Sequence, residues 1–251
     1  MNDPHVESLN YRLQTGEGLK FTDPPPLPHD EGRFACRLEN GHLAVEMREH
    51  HTSVAAAREV VESFLDAWEI AETLNRGRRE MWFEYANARM IDRTPPPPGA
   101  SQVIRPMASD AVAVGVGPTV VRGERAYPPP PSGFVVSLDV RMLIARYERY
   151  TEGRELLAGT AYACLTYVTK NLANGDADAA RKFNISRSVL DTLGRLAGGK
   201  GERKYPSQGP YTPQEEGWVA AAVRILIRRV GEHAAGSALK QITMADLPKL
   251  S

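Results

Sequence analysis

Two cysteines in 251 residues, Cys36 and Cys164, are too few and too far apart to form a disulfide framework. A reducing, cytoplasmic setting is the expectation that follows. Charge of one sign is missing too, because 31 Lys and Arg balance 31 Asp and Glu. Long apolar runs are absent: the longest uncharged stretch, Leu156 to Thr169, is too short to span a bilayer. It lies between Glu155 and Lys170 and reads as a buried core helix, so no membrane role is expected. The segment Met1-Asn2-Asp3-Pro4-His5-Val6-Glu7 lacks the basic and apolar regions of a signal peptide. Neither a phosphate-cradling loop, a zinc-protease helix nor a Cys-x-x-Cys pair occurs. Gly115-Val116-Gly117 is not followed by the further glycine and helix that a dinucleotide site needs. No cofactor is expected.

What is present is ordinary globular material, 42% hydrophobic and 25% charged, enough for one large or two modest domains. The charge is unevenly spread. Residues 181–251 hold twelve Lys and Arg against six Asp and Glu, and residues 1–180 hold nineteen against twenty-five. A basic C-terminal part suits either an anionic partner or docking onto the acidic N-terminal part. Three proline clusters, Pro24–Pro26, Pro95–Pro98 and Pro128–Pro131, read as stiff connectors. The expected organisation is a flexible arm over 1–30, a sheet-plus-helix module over 31–132 and a helical module over 133–251. The fold class is α+β.

In the first module Phe34, Cys36 and Leu38 alternate with polar residues, and so do Leu43, Val45 and Met47. Asn40-Gly41 between them is a strong hairpin signal. A helix follows over about Ser53 to Arg76, with Val61, Phe64, Leu65, Trp68, Ala71 and Leu74 on one stripe and Gly77 as the stop. Met81, Phe83 and Tyr85 alternate as a strand. Val112 to Val121, broken by Gly115, Gly117 and Pro118, suits a hairpin or bulge. Beyond the last proline cluster the period is helical. Ser137 or Asp139 opens a helix with Val140, Leu143, Ile144 and Tyr147 inward, and Gly153 divides it from a second over Glu155 to Leu172. Thr212-Pro213-Gln214-Glu215 begins the last long helix as a capping box with proline in the first position.

Residues 178–196 carry the clearest partner signal. Asp178 to Lys182 reads as a short helix with Ala180 as the small residue at a close crossing. Phe183 and Ile185 bracket a turn at Asn184, a residue that tolerates positive φ. Ser186 is a candidate cap for a second helix whose Val189, Leu190 and Leu193 return to the core. This stretch resembles the helix-turn-helix of DNA-binding proteins. The resemblance implies that the second helix enters the major groove with Arg187, Ser188, Asp191 and Arg195 on its polar face. Lys200, Arg203 and Lys204 would add phosphate contacts. Asp191 would repel phosphate in the middle of that face, and Gly194 weakens the helix.

The last helix contains Arg228-Arg229-Val230-Gly231-Glu232-His233. An Arg followed by His five positions later resembles the HEPN (higher eukaryotes and prokaryotes nucleotide-binding) ribonucleases, over roughly residues 137–235. The resemblance implies metal-free RNA cleavage, with His233 moving protons and Arg228 stabilising the phosphate. Gly231 inside the motif departs from that pattern, and residues five apart on a straight helix do not share a face.

His42, Glu46 and His50 share a face, yet on a strand four residues span about 13 Å, too far for a common metal. No metal site is expected. Tyr147, Tyr150, Tyr162 and Tyr167, with Cys164, read as core with hydroxyls at its edge. The chain thus reads as a non-catalytic binding protein whose partner is nucleic acid, another protein or a second copy of itself. The alternatives are a HEPN-type ribonuclease and a protein scaffold.

Overall fold

The computed structural model describes residues 3–94, 122–199 and 209–250. The fold is α+β. Two compact units are present, one of residues 1–69 with 80–130 and one of residues 70–79 with 131–251.

The first unit has a helix and a five-stranded antiparallel sheet whose strands run in the order Leu27–Asp30 (β3), Phe34–Glu39 (β4), His42–Met47 (β5), Pro4–Thr15 (β1) and Met81–Asp92 (β6). β4 (Phe34–Glu39) and β5 (His42–Met47) form the expected hairpin. Asn40 and Gly41 both adopt positive φ, 52° and 74°. A two-residue turn whose twist matches the strands needs that conformation. The alternation then does its work: Phe34, Cys36, Leu38, Leu43, Val45 and Met47 are all buried. Residues 54–69 of the long helix α1 (Val54–Arg76) supply Ala57, Val61, Leu65 and Trp68 to the same core. The Glu69 carboxylate accepts from the Phe83 amide at 2.8 Å, tying α1 to β6 (Met81–Asp92).

In place of the flexible arm expected over 1–30, residues 3–30 carry three strands. Pro4–Thr15 forms β1, hydrogen-bonded to β5 on one side and β6 on the other, and it buries Val6, Leu9 and Tyr11. Register shifts between Val6 and Ser8 and between Asn10 and Tyr11 break the apolar alternation that would have marked this strand. β2 (Leu19–Phe21) pairs in parallel with β7 (Arg122–Glu124). β3 (Leu27–Asp30) tolerates Pro28 because it lies at the edge of the sheet. The proposed hairpin or bulge at Val112 to Val121 and the cluster Pro95–Pro98 lie outside the described residues.

The second unit is helical. α2 (Leu138–Thr151) is capped by Ser137, whose hydroxyl accepts from the Val140 amide at 3.3 Å, and it ends before Gly153 at φ 71°. α3 (Leu157–Lys170) buries Leu157, Ala161, Cys164 and Val168. α4 (Asp176–Lys182) and α5 (Arg187–Gly199) follow, then α6 (Pro213–Ala234), which starts on the Thr212–Glu215 capping box. Trp218, Ala222, Leu226 and Val230 form the buried stripe of α6. A 3-10 turn at Met244–Asp246 closes the described chain, and no helix among the described residues is long and apolar enough to cross a membrane.

Candidate nucleic-acid interface

α4 begins after Gly175, which stands at φ 98°, and Asp176 and Asp178 in its first turn complement the helix dipole. Asp178 also accepts from the Asn174 amide, and that bond holds its carboxyl below the usual range. Ala179 rather than Ala180 is the small residue buried at the crossing. Phe183 and Ile185 are buried on either side of Asn184, which adopts φ 49°. The turn therefore has the backbone that its residues favour.

A segment that local reading did not connect to this turn holds it in place. Asn184 Nδ2 donates to the Leu239 carbonyl at 2.6 Å, and the Ile242 amide donates to the Asn184 carbonyl at 2.9 Å. The Ser186 amide donates to the Ile242 carbonyl at 2.7 Å. Ser186 precedes α5 as expected, but its hydroxyl pairs with that of Ser188 at 3.0 Å. Arg229, only 7% exposed, donates to the Lys240 carbonyl and pairs with Glu232 at 2.8 Å. That buried guanidinium was not singled out by sequence, because a run of two arginines gives no sign of which one turns inward.

α5 is strongly two-faced. Val189, Leu190, Leu193, Leu196 and Ala197 are buried, whereas Arg187, Ser188, Asp191 and Arg195 are exposed together on the opposite face. A β-carbon at Gly194 would make an ordinary contact with Leu165 Cδ2 of α3, at 3.4 Å. Arg187 and Asp191 form an ion pair at 3.7 Å, both more than half exposed. A solvated pair at this helical spacing contributes about 0.3–0.5 kcal/mol. Lys200, Arg203 and Lys204 lie outside the described residues.

Arg228 and His233 are engaged in different places. Arg228 donates to the Ala71 carbonyl and to Asn75 Oδ1, at 3.2 and 2.6 Å, and burial lowers its pKa from the usual arginine value. His233 is exposed and sets its ring edge-on to Phe183, with centroids 5.3 Å apart. α6 runs unbroken through Gly231 to Ala234. The helix thus delivers the two side chains to separate neighbours.

The tyrosines divide by position. Tyr147 is buried and donates to the Gly77 carbonyl at 2.9 Å, Tyr167 bonds Asp139 at 2.7 Å, and Tyr162 is exposed. Cys36 and Cys164 are both buried, and desolvation pushes each thiol up to about 12. His42 and Glu46 stand on β5. Among the described residues, no group of three or more His, Cys, Asp or Glu is placed to hold a metal ion.

No protein-family model matches the chain, and neither a curated protein nor a solved structure matches it.

Proposed function

We propose that the helical unit binds duplex DNA through the exposed face of α5. The observation that carries this reading is the joint exposure of Arg187, Ser188 and Arg195 on one face of a helix whose other face is fully packed. A helix so presented, after a short helix and a tight turn, suits insertion into a major groove. Arginine then reads guanine through O6 and N7, and serine serves base or phosphate. Asp191 keeps the face from being a bare cationic patch. It favours base reading, since a carboxylate accepts from cytosine N4 but repels phosphate.

Fluorescence anisotropy with a labelled mixed-sequence duplex at about 50 mM salt tests the reading. Wild-type protein binds with an affinity that falls steeply as salt rises, and the double variant Arg187→Glu, Arg195→Glu does not bind. Absence of wild-type binding, or binding unchanged in the double variant, overturns the reading and favours a protein scaffold. Metal-independent cleavage of single-stranded RNA that disappears in His233→Ala would favour the ribonuclease instead.

A further inference from the structure

A cavity among the described residues of the helical unit has a chemistry that the α5 face does not use. It opens to solvent where the end of α2, the start of α3 and the start of α6 meet, with a volume of about 690 Å³. That is the size of a pocket for a small organic molecule. Leu156, Leu157, Ala158 and Pro210 give it an apolar lining, and Tyr150 and Tyr211 add two aromatic rings. Leu156 is 53% exposed, an apolar residue left facing water at the mouth.

The polar groups are of one kind. Two carboxylates, Glu155 and Glu216, line the cavity, and none of the described lining residues is basic. Glu155 is already neutralised by Arg146, at 3.0 and 3.3 Å. Glu216 has no basic partner among the described residues. Its charge is felt by the Tyr150 hydroxyl, whose pKa is raised first by burial and then by Glu216. Tyr211 anchors the opposite wall, its hydroxyl donating to the Leu196 carbonyl at 3.1 Å. A carboxylate with no basic partner among the described residues, beside two aromatic rings and an apolar lining, is complementary to an ammonium group on an apolar body. An anion would meet the Glu216 carboxylate and no basic side chain among the described lining residues.

We propose that this cavity binds a small organic cation, its apolar body against Leu156, Leu157, Ala158 and Pro210 and its ammonium group beside Glu216, Tyr150 and Tyr211. The probe that tests this is tryptamine, with indole-3-propionate as the control of like size and opposite charge. Calorimetric titration of the full chain shows saturable binding of tryptamine and none of indole-3-propionate. Glu216→Gln, at an exposed position, weakens tryptamine about tenfold, a change of about 1.4 kcal/mol. Leu156→Arg places a cation in the mouth and abolishes binding, with an unchanged circular dichroism spectrum confirming the fold. Equal binding of the two probes, no saturable binding of tryptamine, or an affinity unaltered in Glu216→Gln overturns the proposal.

Discussion

Phe134 packs directly on Gly231: a β-carbon built on that glycine would stand 2.3 Å from Phe134 Cε2 and 2.7 Å from Cδ2. The Val135 amide donates to the Gly231 carbonyl at 3.2 Å, so the strand-like approach to α2 lies against α6 at this point. The glycine that departs from the ribonuclease pattern is therefore not a bend in the helix. It is the gap that admits an aromatic ring.

Gly231→Ala should accordingly destabilise the helical unit by about 1–3 kcal/mol, the usual range for overpacking, although alanine is the better helix former. Chemical denaturation measures this, and Phe134→Leu in the same chain should recover part of the loss.

Asn184 carries a second prediction. Alanine at φ 49° would be strained and would also lose the bond to the Leu239 carbonyl. Asn184→Ala should cost about 1–2 kcal/mol, whereas Asn184→Gly relieves the backbone and should cost less. Amide hydrogen exchange at Ser186 and Ile242 should accelerate in both variants. The turn and the C-terminal segment share those hydrogen bonds.

These residues also show what the sequence could and could not say. Asn40-Gly41, Ser137, Asn184 and Thr212-Pro213-Gln214-Glu215 were legible because turns and caps are decided by neighbours within a few positions. Ser186 was legible as the residue before α5, but its bond to Ile242 was not, because that partner is distant in sequence. β1 was hidden for two reasons: its bulges break the period, and its partner β6 lies far along the chain, from Thr15 opposite Met81 to Pro4 opposite Asp92. Gly231 read as a departure within its helix, and only the fold sets Phe134 against it. The face of α5 was legible from helical spacing alone, whereas the separate engagements of Arg228 and His233 required the fold.

The sheet unit should be sensitive to mild acid. His5 is 1% exposed and stacks on His50, with ring centroids 5.2 Å apart. Burial is the main reason its pKa lies below 6.5, with the charges of Arg93, His50 and His51 acting the same way and Glu7 opposing them. The folded chain therefore takes up this proton at lower pH than the unfolded chain does. Stability is present above about pH 6.5 and declines as pH falls below it. Thermal melts between about pH 7 and pH 5 should show the decline, and His5→Phe, which keeps a ring against His50, should flatten it.

Asp191 separates base reading from simple charge attraction. Asp191→Asn removes the negative group from the α5 face and releases Arg187 from its 3.7 Å pair. Binding to a mixed-sequence duplex should tighten several-fold at low salt, with a steeper salt dependence. Discrimination between duplex sequences should fall. Competition binding with sequence-randomised DNA measures both effects.

The most direct test of the central claim is an amide chemical-shift titration of the labelled full chain with duplex DNA. If α5 enters the groove, shifts concentrate on Ser186, Arg187, Ser188, Asp191 and Arg195, with the sheet unit silent. Saturating DNA that leaves the α5 amides unmoved, or that shifts only residues elsewhere, would contradict it.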